Sequence, residues 1–245
     1  MEPLGVAVVI PVLNEADTIA DVVTEIPRVL AREIIVADGG SSDGTPNLAR
    51  AAGARVIFPE GKGYGRACAA GAIAAATECG VIVFMDGDGA DRGDMMARLI
   101  DPISNGTHDF VIASRPSETR EPGSMSWHQG AAHYLAGRGM GLLYGVRYSD
   151  MCAYRAIRRD CLQRLDMREM TYGWNIEMQM KAARQGLRIL EVPLPYRRRR
   201  GGSSKVAGSL RGSFRAGWRI ATTFLRVAMA RSPRSVSPAR AEKAG

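Results

Sequence analysis

Two carboxylates, Asp86 and Asp88, stand one glycine apart at the end of the run Val81-Ile-Val-Phe-Met85. Hard oxygen ligands at that spacing suit Mg²⁺ or Mn²⁺ held together with substrate phosphates. The apolar run ahead of them, rich in branched side chains, predicts a strand buried on both faces, with the pair surfacing at its carboxyl end. Other chemistries also use closely spaced aspartates. An aspartyl phosphatase places such a pair after a buried strand, but usually the first one, with a Thr or Val soon after. A calcium loop needs a glycine and a glutamate where this chain has Asp91 and Ala97.

Further candidates recur at the ends of apolar runs. Asp38-Gly-Gly-Ser-Ser-Asp-Gly-Thr45 follows one run, and its Ser41 and Asp43 offer a hydroxyl and a carboxylate to grip a ribose or base. The same composition also suits a plain turn. Lys62 lies in Gly61-Lys-Gly-Tyr-Gly65, which has neither the spacing nor the first-turn position of a dinucleotide fingerprint. It reads equally as a phosphate contact or as a solvated lysine. Arg115 directly follows another run and opens a polar loop to Ser126, where it suits a phosphate clamp. Glu177 shares a helical face with Trp174 and Met178, so it is expected to be buried, as either a structural or a site residue.

These residues need elements that bring them together. Strands are expected at Val6–Pro11, Glu33–Ala37, Val56–Phe58, Val81–Met85, Phe110–Ala113, Asp150–Ile157 and Leu187–Val192. Helices are expected from Asn14 to about Ile26, from Pro46 to about Ala52, and from Gly65 to Ala76. Further helices are expected at Met95–Ile103, Trp127–Tyr144, Asp160–Leu165, Trp174–Gln185 and Leu210–Arg231. Strands alternating with helices at this pitch predict an α/β fold: a Rossmann-like, mostly parallel central sheet with helices on both faces. The ligand site of such a sheet lies at the carboxyl ends of its strands. Asp38, Lys62, Asp86, Asp88 and Arg115 all fall just after an expected strand.

Composition narrows the functional classes. Cys68, Cys79, Cys152 and Cys161 have no C-x-x-C spacing, and His108, His128 and His133 have no metal-ligand spacing, so neither a disulfide framework nor a zinc site is expected. No signal peptide and no transmembrane helix is expected. From Arg197 onward there are thirteen Lys or Arg and one acidic residue, a net +12. The preceding 196 residues carry 20 basic and 24 acidic groups. A basic tail on an acidic body disfavours nucleic acid as a partner and favours an anionic membrane surface. In the helix expected at 210–231, Leu210, Phe214, Trp218, Ala221, Leu225 and Ala228 form one stripe. Arg211, Arg215, Arg219 and Arg226 lie beside it, as in a membrane-surface helix. Residues 1–209 are then a catalytic domain, and 232–245, rich in Ser, Pro and Arg, a disordered tail.

Taken in order, Val8-Val-Ile-Pro-Val-Leu-Asn-Glu15, the Asp38–Thr45 loop, Met85-Asp-Gly-Asp88, Ala113-Ser-Arg115, Asp150–Arg155 and Gly202-x-Ser204-Lys205 resemble family 2 glycosyltransferases of the GT-A fold. The resemblance covers about five-sixths of the chain. It is greatest to the dolichyl- or polyprenyl-phosphate sugar synthase branch, whose closing R-x-x-G-x-S-K pattern is matched by Arg199, Gly202, Ser204 and Lys205. It implies that Pro11, Asn14, Glu15 and Asp38 hold the base and ribose of a nucleotide sugar. Asp86 and Asp88 would hold Mg²⁺ or Mn²⁺ on its diphosphate. Arg115, Arg155, Arg199, Ser204 and Lys205 would meet donor and acceptor phosphates. Two departures stand out: Gly39 replaces a frequent second aspartate of the base loop, and Ala153-Tyr154 replaces Gly-Phe.

The implied activity is an inverting, metal-dependent transfer of a hexose from GDP-mannose or UDP-glucose to a polyprenyl phosphate, in cell-envelope biosynthesis. The implied place is cytoplasmic, on the inner face of the membrane. The branch often carries transmembrane helices that this chain lacks, so a separate membrane-protein partner is a further expectation. A hydroxyl acceptor would need a base, and Asp150 is the candidate; with a phosphate acceptor Asp150 becomes a positioning group. A third reading is a non-catalytic sugar-nucleotide-binding or membrane scaffold protein, against which the intact Asp86/Asp88 pair argues.

Overall fold

The computed structural model describes residues 4–124, 127–201 and 210–230. Seven strands form one sheet: β1 Gly5–Val12, β2 Glu33–Asp38, β3 Arg55–Ile57, β4 Cys79–Phe84, β5 Phe110–Ser114, β6 Arg155–Arg158 and β7 Ile189–Pro193. Their spatial order is β3-β2-β1-β4-β6-β5-β7. All pairings are parallel except those of β6, which runs antiparallel to both β4 and β5. The sheet is thus mostly parallel, as the alternation of elements predicts.

The central strands are the most uniformly apolar. Val8, Val9, Val81, Ile82 and Val83 are all fully buried. Successive residues of a strand point to opposite faces, so both faces of the sheet are covered. The covering helices are α1 Ile19–Glu25, α2 Thr45–Ala51, α3 Tyr64–Ala74, α4 Ala97–Ser104, α5 Trp127–Tyr144, α6 Arg159–Arg164, α7 Trp174–Arg184 and α8 Leu210–Met229. Small residues let α3 lie close on the sheet: a Cβ added at Gly71 would stand 2.3 Å from Val9 Cγ1.

Two elements differ from expectation for a reason that bears on the site. The helix expected from Asn14 begins only at Ile19, because Asn14 takes φ +53° and residues 15–18 form a turn closed by the Thr18 amide on the Glu15 carbonyl. The strand expected over Asp150–Ile157 is confined to Arg155–Arg158. Tyr154 still accepts the Ala113 amide, while residues 150–153 leave the ladder and are held largely by side chains. Because β6 is antiparallel, with Arg155 opposite Phe84 and Ile112, it delivers this segment to the same sheet edge as the carboxyl ends of β4 and β5.

The last helix packs on the body by a different face from the expected stripe. Ala216, Thr223 and Val227 are buried, whereas Trp218 is 63% exposed and Leu225 55%. Buried carboxylates select the docked face. Thr223 Oγ1 donates to Glu169 at 3.1 Å, and Arg226 reaches Glu169 and Glu177 at 3.4 and 3.5 Å. Among the described residues no helix is long and apolar enough to cross a membrane.

Candidate active site

The loops after β1 and β2 are laced together at the sheet edge. Asp38, 1% exposed, receives the Gly40 and Ser41 amides on Oδ1, both at 2.8 Å. Its Oδ2 is buried with no partner among the described residues, which leaves a carboxylate oxygen for a ligand. Ser41 Oγ accepts the Asn14 amide at 2.8 Å, and Asn14 Oδ1 accepts the Ser42 amide at 2.8 Å. Asp43 uses one oxygen on Thr45 and the other on the Ala16 amide at 3.0 Å. The sequence reading has Ser41 and Asp43 gripping a nucleotide. In the structure Asp43 braces the loop, and Ser41, accepting one amide, keeps its hydroxyl proton and a second lone pair for a ligand. Pro11 is buried within β1 beside Ala37.

Asp86-Gly-Asp88 surfaces immediately past β4. Glycine between them is required, because a Cβ at Gly87 would stand 2.7 Å from Val12 Cγ1 and 3.4 Å from Ile10 Cγ2. Asp86 is half-buried and Asp88 buried. A third carboxylate, Asp91, turns back to accept the Asp86 amide at 3.0 Å. Burial and then the like charge of Asp88 push the Asp86 carboxyl up to about 6. Asp91 is pushed well above the ordinary range by burial and by both neighbours. Three carboxylates crowded in this way favour a cation. One is already present: Arg199 Nε donates to Asp88 Oδ2 at 3.0 Å, and its Nη2 reaches Glu15 Oε1 at 3.4 Å. The other terminal nitrogen of Arg199 is buried with no acceptor among the described residues, so an anion can still be met there. Asp86 and Asp88 offer hard carboxylate oxygens, a donor set that fits a divalent ion taking its remaining ligands from diphosphate and water.

The 61–65 turn serves packing. A Cβ at Gly63 or Gly65 would stand 2.3 Å from the Met170 carbonyl oxygen or 2.5 Å from that of Glu169, and the Arg66 amide donates to Met170 at 2.9 Å. This close approach sets the buried Tyr64 hydroxyl beside Asp86. Lys62 is exposed on the same turn.

On the other side of the aspartates, Arg115 and Asp150 form a forked ion pair. Arg115 Nε donates to Oδ2 and Nη2 to Oδ1, both at 2.7 Å, and the Met151 amide donates to Oδ1 at 2.7 Å. The guanidinium lies 4.8 Å from the centre of the Tyr196 ring, which fixes its plane. The sequence reading counts Arg155 among the phosphate contacts. The structure corrects this: Arg155 is fully buried and its guanidinium binds the carbonyls of Cys152, Ala153 and Asn175. A buried guanidinium needs several acceptors, and the irregular 150–154 segment supplies them. Glu177 is likewise resolved as structural, since it accepts the Arg168 and Glu169 amides and pairs with Lys181 at 3.1 Å. Ser204 and Lys205 lie outside the described residues, as does the segment 232–245.

Sequence reasoning missed Tyr64, Asp91, Tyr196, Gln179 and Glu191. Asp91 was visible as an acid three residues past the pair, and Tyr64 as the one bulky residue among glycines. Nothing local marks the other three.

The profile of the family described as "Glycosyl transferase family 2" matches residues 7–166. Glycosyltransferase AglJ of Haloferax volcanii is 31% identical over 202 residues, 82% of this chain, and the match spans 66% of that relative's length. The dolichyl-phosphate hexose transferase of the same organism is 34% identical over 80% of this chain and 84% of its own. Among solved structures, glucosyl-3-phosphoglycerate synthase from Mycobacterium tuberculosis, in complex with Mn²⁺, UDP and phosphoglyceric acid, superposes with a TM-score of 0.73. That structure is 22% identical, with 92% of this chain and 78% of that one covered, and the likeness establishes the GT-A fold. On the strength of the family match and these relatives, the chain belongs to glycosyltransferase family 2.

Proposed function

We propose that the protein transfers a hexose, with inversion, from a nucleoside diphosphate sugar to a polyprenyl phosphate. The observation that carries the acceptor reading is the state of Asp150. Its two oxygens receive Arg115 and the Arg115 and Met151 amides, so it orients a cation and is poorly placed to take a proton. A hydroxyl acceptor would require that proton transfer. A phosphate acceptor, with a second pKa near 6, arrives with an ionised oxygen and needs none. The relative named for dolichyl phosphate supports the same acceptor class.

On this reading Asp38 and Asn14 take the ribose and base, with Pro11, Glu15 and Ser41 forming the floor and rim and Lys62 at the margin. Asp86 and Asp88 hold the divalent ion, which screens the charge of the diphosphate when bound. The bond between the anomeric carbon and the diphosphate oxygen breaks with its electron pair leaving on the nucleotide. The acceptor oxygen bonds the opposite face of that carbon. Arg115 and Arg199 stabilise negative charge on the phosphates, a role the family resemblance extends to Ser204 and Lys205. The exposed Trp218 and Leu225 of α8, with exposed Arg215 and Arg219 beside them, support attachment to the anionic inner face of a membrane. A membrane-protein partner would add to that attachment.

The test is incubation of purified protein with labelled GDP-mannose or UDP-glucose, Mn²⁺ and vesicles containing polyprenyl phosphate. Label extractable into organic solvent, in the inverted configuration, is the expected result. Absence of lipid-bound label with both donors, while either donor still binds, would overturn the acceptor assignment.

A further inference from the structure

The forked pair of Arg115 and Asp150 sits on a segment with no ladder of its own. The hydrogen bonds that place Asp150 come from two distant elements. Glu191, in β7, accepts the Ser149 amide on both oxygens, at 3.0 and 2.9 Å, and reaches the Asp150 amide at 3.4 Å. Gln179, fully buried in α7, donates its Nε2 to the Asp150 carbonyl at 2.9 Å. The Tyr148 hydroxyl donates to the Gln179 carbonyl at 2.9 Å, tying the start of the same segment to α7. The backbone of Asp150 is therefore gripped on both sides. From this held backbone its carboxylate accepts the Arg115 fork and the Met151 amide, and Arg115 is itself stacked on Tyr196.

Glu191 is the central residue of β7, so its carboxylate reaches the Ser149 and Asp150 amides from a fixed strand position. Glu191 is half-buried; burial pushes its carboxyl up, and the Ser149 and Asp150 amides it accepts offset part of that cost.

We infer that Glu191 is a positioning residue for transfer: it acts through Asp150 to hold the Arg115 guanidinium in the plane that meets the reacting phosphates. The inference rests on the proposed role of Arg115 in the transfer. It assigns Glu191 no contact with substrate.

The test is a double-mutant cycle on folded, full-length protein, with Glu191→Ala, Glu191→Gln and Asp150→Asn alone and combined. Glu191→Ala is expected to lower kcat about tenfold, with KM for the nucleotide sugar unchanged because the loops after β1 and β2 are untouched. Glu191→Gln keeps one acceptor oxygen and should lose only about two- to threefold. In the Asp150→Asn background either substitution should change kcat by less than about twofold, since groups acting through one another are not additive. Full additivity, or a loss confined to donor KM, overturns the inference, because a purely structural effect would persist without the Asp150 carboxylate. Should Glu191→Ala fail to fold, the glutamine variant carries the same cycle. If wild-type protein gives no lipid product, the acceptor reading has failed, and the cycle is read instead on nucleotide-sugar hydrolysis with Mn²⁺.

Discussion

The two halves of the site are built by opposite means. On the half proposed to take the donor, the loops after β1, β2 and β4 follow parallel strands directly, and their side chains bond to backbone within a few residues or to the adjacent loop. Asp38 holds Gly40 and Ser41, Asp43 holds Thr45, and Asp91 holds Asp86. On the other half, the working pair joins residues 35 apart, and it is held by Glu191 and Gln179, 41 and 29 residues from Asp150. The first half joins loops at the ends of adjacent parallel strands, closed by Arg199 on Asp88 and Glu15. The second is a tertiary assembly around the single antiparallel strand. The difference implies that the first half depends on contacts between neighbouring loops and one distant arginine, whereas the second depends on three elements at once.

Substitutions can separate the halves. Asp88→Ala should have the largest effect, lowering transfer about a thousandfold and abolishing metal-dependent nucleotide binding in calorimetry. Arg115→Lys comes next, with kcat lowered about a hundredfold, because an ammonium cannot reproduce the fork onto Asp150 or the stacking on Tyr196. Nucleotide binding should survive in that variant. If both substitutions abolish binding equally, the division into halves is wrong.

Gly65→Ala probes the scaffold between them. Its new Cβ would meet the Glu169 carbonyl oxygen at 2.5 Å and the Met170 carbonyl carbon at 2.9 Å, both backbone atoms. A loss of about 1–3 kcal/mol in thermal or denaturant unfolding is expected. An unchanged Tm would show that the 169–170 segment yields easily.

The smallest effect is electrostatic and lies at the far end of β5 and β7. Arg188 donates to Asp109 at 2.7 and 2.9 Å, and those hydrogen bonds hold the Asp109 carboxyl below its usual value. A depressed carboxyl stabilises the fold above its unfolded pKa, and that contribution is lost as pH falls through the folded one. Arg188→Ala should therefore flatten the acid side of a stability profile below about pH 4, by a small amount because the pair is partly exposed and screened by solvent. Transfer at neutral pH should be unaffected. A large effect on kcat would mean that the ends of β5 and β7 communicate with Glu191.

The strand ends at which the candidate residues stand were legible because strand-forming residues and the polar residues after them are contiguous. A buried β-branched run announces where a chain surfaces, and Asp38, Asp86, Asp88 and Arg115 stand at such points. The sequence reading misassigned Arg155, since a motif gives position along the chain and leaves open which way a side chain turns. For a related reason the sequence did not show that Ser41 and Asp43 brace the loops: the same short polar side chains suit both a ribose and a turn.

Contiguous sequence determined the mostly parallel sheet, the edge at which the site lies and the acidic pair at its centre, because these follow from the periodicity of burial along single strands. Tertiary structure decided which arginine faces the site and which is interred, which face of α8 docks, and what holds Asp150 on Arg115. Those choices depend on hydrogen-bond partners contributed from β7, α7 and the antiparallel β6, and no local pattern encodes where such distant elements meet.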